Sequence, residues 1–366
     1  MATLDVFPRG KAAGMHVSPV YLDRDATLGK IESLVREAAT AGARIVAFPE
    51  AFLPGFPVWC LLQRPIDMHA HFKQLFACSV EVPGPQTARL AEIARASDVW
   101  LSVGISERST ISMGTMYNSN LLFSPAGELV NHHRKLVATW AERLVWGHGD
   151  GAGIRVIATD VGKLGMLICG ENTNPLARYA LMAQGEQVHI ASYPPAWPFK
   201  RGGDAAEYRR WIETRSAAHA FEAKAYCLTV AAHLDEAAIV GAAAGDPVVE
   251  AALREAPPAV SVALGPYAER LGDPIQGEEG ILYMDFDVSN LIVPKMAHDV
   301  VGSYQRYDVF EFRLNQRRQV ASAPMASPLA VDAGADAAEF RSRAAPIANA
   351  VAAARQENGE ANEHHQ

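Results

Sequence analysis

The stretch AGMHVSPVYLDRDATLGKIESLVREAATAGARIVAF, residues 13–48, decides the fold class. Residues 13–19 read as a short strand. Residues 23–41 carry Leu28, Ile31, Leu34, Val35 and Ala38 at spacings of three and four, one face of a helix. Asp23 or Asp25 can cap its start, and Gly42 can end it. Residues 44–48, RIVAF, form a short apolar run suited to a buried strand. Strand, helix and strand in this order open an α/β protein.

The alternation continues outward from this unit. Residues 86–97 repeat the helical spacing with Leu90, Ile93 and Ala94, and residues 99–105 read as a strand. Residues 117–123 and 128–132 flank a Ser-Pro-Ala-Gly turn, which predicts a hairpin. Strands are expected at 163–168, 187–191, 226–232 and 281–286. Helices are expected at 175–185, with Asn174 as cap and Pro175 in its first turn, and at 205–225. In the second of these, Tyr208, Trp211, Ile212 and Ser216 share a stripe. Hairpins interrupt the strand–helix alternation, so a mixed sheet, or two packed sheets with helices outside, fits better than a purely parallel sheet.

No Ser/Gly linker interrupts the chain before about residue 315. One domain over residues 1–315 is therefore expected, followed by an extension, 316–366. From Ala321 the extension is rich in Ala and poor in aromatics, and Pro346 interrupts any helix. It is expected to be mobile or to take part in assembly.

Composition narrows the function. The chain has 366 residues, with 33 Lys and Arg against 41 Asp and Glu, for a net charge of −8. Its 49% apolar and 20% charged residues are those of a globular protein, not a disordered one. The charge excludes nucleic-acid binding through an overall positive field. Cys60, Cys78, Cys169 and Cys227 are too sparse for a disulfide scaffold, and no CxxC or Cys/His cluster suggests zinc. GxGxxG, GxxxxGK[ST] and fixed-period repeats are absent. The opening residues lack a basic start and an apolar core, and the uncharged run 109–127 is too polar to span a bilayer. The expectation is a cytoplasmic protein with no membrane partner.

Three residues could do chemistry together. Cys169 ends an apolar strand and precedes a turn into a helix. That placement predicts an exposed, electropositive thiol that loses its proton readily, with the Gly170 N–H able to face an oxyanion. Glu50, in FPEAFLPGFP, also ends a strand; partial burial among Pro49, Phe52 and Phe56 would lift its pKa toward that of a working base. Lys135, in HHRKL, follows the hairpin and could supply positive charge. Singly, each has an ordinary reading: a core cysteine, a loop carboxylate, a surface lysine.

Taken in order, the motifs resemble the nitrilase family of the carbon–nitrogen hydrolase superfamily. AFPEAFLPGFPVW looks like the segment around its catalytic Glu, here Glu50. HHRKLVATWAERLVWGHGDG looks like the segment around its catalytic Lys, here Lys135, with the supporting carboxylate Glu142. GKLGMLICGENTNPLARYALMAQGEQVHIASYP looks like its nucleophile segment, with Cys169 as nucleophile. The similarity runs from about Ala12 to Phe312. Two departures stand out. Gly170 replaces a Trp common in the family, and residues 302–310 read GSYQRYDVF where the family has GHYxRPDVF.

The resemblance implies a four-layer α-β-β-α sandwich with no metal and no organic cofactor. It implies hydrolysis of a small-molecule nitrile to acid and ammonia through a Cys169 thioimidate and thioester. Glu50 would act as general base, Lys135 would stabilise the developing charge, and Glu142 would hold Lys135 or the substrate. The alternatives are an amidase or carbamoylase with the same triad, or hydration stopping partly at the amide. The family also implies a homo-oligomer, from dimers to spiral assemblies.

Other residues divide by neighbourhood. Trp59, Tyr193 and Trp197 could line a substrate pocket or simply pack. Cys60, Cys78 and Cys227 are expected in the core. His189 is expected as a hydrogen-bonded core histidine, Asn172 as a capping or positioning residue, and His132 and His133 at the surface.

Overall fold

The computed structural model describes residues 7–197 and 206–320. Two sheets carry the architecture. The first is built from β1 (Arg9–His16), β2 (Ile45–Ala47), β3 (Trp100–Arg108), β4 (Met116–Phe123) and β5 (Leu129–Arg134). The second takes β6 (Ile157–Thr159), β7 (Gly162–Ile168), β8 (Val188–Tyr193), β9 (Tyr226–Ala231) and β10 (Val262–Leu264), and the last strand, β11 (Gly280–Asp287), returns to the first. The strand orders are β11-β1-β2-β3-β4-β5 and β10-β9-β8-β7-β6. Both sheets are mixed: β1-β2-β3 and β7-β8-β9 are parallel, and the flanking pairs are antiparallel.

Helices cover the outer faces. On the first sheet lie α1 (Arg24–Thr40) and, after the shorter α2 (His69–Cys78), α3 (Pro85–Ser97). The predicted stripe of α1 packs with Leu90, Ile93 and Ala94 of α3 onto Val46, Val103 and Leu121. On the second sheet lie α4 (Pro175–Met182) and α5 (Glu207–Ala223), which bury Ala180 and Leu181 against Leu167, and Ile212 and Ala220 against Cys227. A third core joins the sheets, Ile45, Ala47 and Leu122 meeting Leu164, Met166, Ile190 and Leu228. The result is the expected four-layer α-β-β-α sandwich. Three more helices, α6 (Glu236–Ala243), α7 (Pro247–Arg254) and α8 (Ile292–Ala297), complete it.

Caps behave as the sequence suggests. Asp23 Oδ1 accepts from the Ala26 N–H, and Asn174 Oδ1 from those of Leu176 and Ala177. β1 begins earlier than predicted and ends at His16. All eight of its residues pair with β11, a long-range register that overrides the polar look of Arg9–Lys11. At the start of the extension, Gln316 donates to the Ile154 carbonyl and Arg318 to that of His132. The rest of the Ala-rich segment, 321–366, lies outside the described residues, as does the start of the helix expected at 205–225.

Candidate active site

Strand direction brings the three predicted residues to one place. β2 and β3 are parallel, and β3, β4 and β5 alternate, so β2 and β5 end on the same edge of the first sheet. Glu50 follows β2, and Lys135 follows β5 directly. Cys169 follows β7 in the second sheet and opens a 3-10 turn, Cys169–Thr173. Glu142 comes from another 3-10 turn, Trp140–Leu144, and accepts the Thr139 N–H on Oε2 at 2.9 Å.

Lys135 Nζ donates to Glu50 Oε1 at 2.6 Å and to Glu142 Oε2 at 2.7 Å. All three are buried, as is Cys169. Asn118, near the start of β4, donates to the same Glu50 oxygen at 2.7 Å. An ammonium has three protons, so two carboxylates leave one for another acceptor. Glu50 Oε2 and Glu142 Oε1 have no hydrogen-bond partner among the described residues.

Burial sets the electrostatics. It raises the Glu50 carboxyl, Lys135 opposes this, the Glu142 charge reinforces it, and the outcome is about 7. Burial would lower Lys135, but Glu142 and Glu50 outweigh it and keep the ammonium charged. The Cys169 thiol is pushed well up, by burial first and by the Glu50 charge next, with Lys135 only partly opposing. This corrects the expectation of an exposed, ready thiolate. The turn buries the sulfur where the charges of Glu50 and Glu142 both oppose ionisation, so the thiol keeps its proton until a base removes it.

The turn is strained and heavily tied. Cys169 has φ +48°, a left-handed conformation that costs a non-glycine residue on the order of 1–3 kcal/mol. Glu171 clamps the turn to the Lys135 loop. Its Oε1 accepts from the Leu136 N–H, and its Oε2 accepts from the Ile168 N–H and pairs with His133 Nε2 at 2.8 Å. His133 is therefore buried, not at the surface, and His132 is paired with the buried Glu107 at 2.7 Å. β5 turns both rings onto carboxylates that its sequence neighbours do not reveal.

Cys169 lies in the wall of a cavity of about 530 Å³ with Thr139, Trp140, Gly170, Trp197, Tyr208, Trp211 and Arg215. Gly170 leaves room for Thr139, since a Cβ there would approach its Oγ1 to 2.9 Å. Of the predicted pocket residues, Trp197 and Gly170 line this cavity. Trp59 and Tyr193 do not. Both are fully buried in the core cluster that also holds Cys169, and Trp59 stacks on His71. Sequence reasoning missed Trp140 and Arg215. It had Tyr208 and Trp211 on one stripe, and Arg215 lies four residues beyond Trp211, a spacing that could have placed it. Cys60 and Cys227 are buried as expected. Cys78 is only half-buried, its Sγ against the Leu22 carbonyl.

Comparison with known proteins places the chain in a family and agrees with the fold. Residues 11–293 match the carbon–nitrogen hydrolase family. A nitrilase of Paraburkholderia phymatum is 32% identical over 328 residues, covering 90% of this chain and 93% of that protein. An aliphatic nitrilase of Rhodococcus rhodochrous is 33% identical, covering 84% of this chain and 83% of that one. A carbon–nitrogen hydrolase structure from Helicobacter pylori superposes with TM-score 0.63 at 19% identity, over 82% of this chain and 96% of that one. An amidase from Nesterenkonia sp. superposes with TM-score 0.57 at 18% identity, over 80% and 95%. The chain belongs to the nitrilase family of carbon–nitrogen hydrolases. It is an enzyme that hydrolyses carbon–nitrogen bonds other than peptide bonds. Among the described residues no helix is long and apolar enough to cross a membrane.

Proposed function

We propose that the chain hydrolyses an organic nitrile to the carboxylic acid and ammonia, with Cys169 as nucleophile, Glu50 as general base and Lys135 as the charge-stabilising cation. The reading rests on one arrangement: a buried ammonium shared by two carboxylates, beside a buried thiol that opens onto a cavity. Glu50 takes the thiol proton on Oε2, and Sγ adds to the nitrile carbon. The nitrogen collects that proton, giving a thioimidate. Glu50 then draws a proton from water, which adds to the same carbon. Loss of ammonia leaves a thioester, and a second water releases the acid and restores the thiol. The remaining Lys135 proton, with the Gly170 N–H, faces the charge that develops at each addition. Glu142 holds Lys135 and keeps its charge.

The cavity supports an aryl or arylalkyl nitrile. Trp140, Trp197, Tyr208 and Trp211 line it, and its size suits one ring with a short arm. The free state of all four cysteines supports a cytoplasmic location. We assign residues 1–315 to the hydrolase domain and 316–366 to an extension. Homo-oligomer formation draws support from Tyr304, Tyr307, Val309 and Phe310, all exposed in the segment 302–310.

The test is Cys169→Ala assayed on phenylacetonitrile and phenylacetamide together, with ammonia, acid and amide all measured. The wild type should release ammonia faster from the nitrile, and the folded variant should release none. An active variant removes Cys169 from its role, and faster turnover of the amide makes the enzyme an amidase.

A further inference from the structure

Behind the Cys169 turn lies a second ionisable cluster that the chemistry above does not use. Glu186 precedes β8, His189 lies on β8 and His219 on α5, and all three are buried. Glu186 Oε1 faces His189 Nδ1 at 2.7 Å, and its Oε2 faces His219 Nε2 at 2.6 Å. β7 makes room for the carboxylate with Gly165, where a Cβ would lie 2.0 Å from Glu186 Oε1.

One carboxylate and two imidazoles are a donor set that metals use. The ring geometry does not suit one. The two imidazoles stack with centroids 3.7 Å apart and planes 27° apart. A metal sits in the plane of each ring on a lone pair, and stacked rings aim those lone pairs side by side, not at one point. Each nitrogen also meets its own carboxylate oxygen at hydrogen-bond distance.

The hydrogen bonds fix where the protons are. One end of the Asn172 amide lies 3.1 Å from the Cys169 carbonyl oxygen and 3.4 Å from that of Leu167. Carbonyls only accept, so this end is the NH2. Asn172 Oδ1 therefore faces His189 Nε2, at 2.9 Å, and Nε2 must carry a proton. His189 Nδ1 faces a carboxylate and must carry one too. Burial alone would raise Glu186, but the two histidines hold it down to about 2, so it faces both rings as a carboxylate, an acceptor only. His219 remains neutral, its pKa taken to about 4 by burial first and His189 next. Its Nδ1 has no partner among the described residues, as a proton-free nitrogen can tolerate.

We propose that His189 and Asn172 are positioning residues for Cys169: His189, seated on the Glu186 carboxylate, donates from Nε2 to the Asn172 amide oxygen, and the amide NH2 holds the Cys169 carbonyl and with it the left-handed backbone of the nucleophile. The proposal rests on Cys169 being the nucleophile. The chain of bonds ends on the carbonyl of a residue at φ +48°. Such a conformation persists only where its surroundings over-determine it, and Asn172 supplies a constraint within the turn itself.

Two amide substitutions separate positioning from packing. In His189→Gln the side-chain nitrogen reaches the place of Nε2 and keeps the bond to Asn172, while Glu186 loses a partner. In His189→Asn the shorter amide serves Glu186 and leaves Asn172 free. Positioning predicts that His189→Asn loses kcat on the order of 10²-fold, with His189→Gln recovering most of it. KM for phenylacetonitrile should stay within about twofold in both. A packing role predicts the reverse order, because His189→Asn satisfies the buried carboxylate. Urea midpoints on the same full-length samples show that the compared proteins are folded. Should neither variant fold, Asn172→Ala leaves the ion pair intact and should show the same kcat loss at unchanged KM.

An His189→Asn enzyme as active as His189→Gln, or an Asn172→Ala enzyme with wild-type kcat, overturns the proposal. Stoichiometric zinc or iron in the purified wild type does so as well. Activity in Cys169→Ala would instead remove the nucleophile itself, a distinct failure.

Discussion

Glu142→Gln should move the acid limb of the pH–rate profile to lower pH. The substitution keeps shape and leaves the oxygen that accepts from Lys135 Nζ and the Thr139 N–H in place. The other Glu142 oxygen has no partner among the described residues, so an NH2 there breaks no bond. What changes is charge. Glu50 and Glu142 both touch one Nζ, which puts the two carboxylates on the order of 5 Å apart; at an effective dielectric of about 20 their repulsion is about 3 kcal/mol. That repulsion is part of what lifts Glu50 to about 7. Its removal lowers the pKa by up to about two units. The base is active only as the carboxylate, so the limb follows the Glu50 pKa downward. The assay is kcat/KM for ammonia release from pH 4.5 to 9, which reports the free enzyme. A limb that stays put, or moves up, would refute both the base assignment and the electrostatic account. The plateau rate should also fall, because a less basic carboxylate takes the thiol proton less well.

Three further outcomes rest on the same geometry. Iodoacetamide should label Cys169 slowly in the resting enzyme at pH 7, and faster as pH rises, because the thiol is held protonated; mass spectrometry showing rapid neutral-pH labelling would contradict this. Gly165→Ala should destabilise the fold by about 1–3 kcal/mol in urea, since its Cβ would press on Glu186 Oε1 where the carboxylate is already bonded on both sides; an unchanged midpoint would mean that the carboxylate moves freely. Acidification from pH 6.5 to 4 should lower Tm. His16 and His219, both taken to about 4 chiefly by burial, stay neutral in the fold but bind protons when unfolded, costing about 3 kcal/mol each across that window.

The strand–helix order, the hairpin and the α1 stripe were legible because local periodicity and caps decide them. The Glu50, Lys135 and Cys169 set was legible because each lies in a long segment at a strand end. The protonation state of Cys169 was not, since it depends on two carboxylates brought from distant turns. His133 looked like a surface residue for the same reason: its partner, Glu171, comes from the distant turn that follows β7. Trp59 and Tyr193 show a further limit. An aromatic side chain near a strand end can face a cavity or the core, and only tertiary packing chooses, for Trp59 its stacking on His71 of α2.

Glu50 and Lys135 belong to one sheet, and Cys169 to the other. Neither sheet alone holds a nucleophile and its base, so a chain with every strand formed but the sheets undocked has nothing with which to react. Refolding should therefore restore far-ultraviolet circular dichroism before activity, and the lag between them times the closing of the central layer.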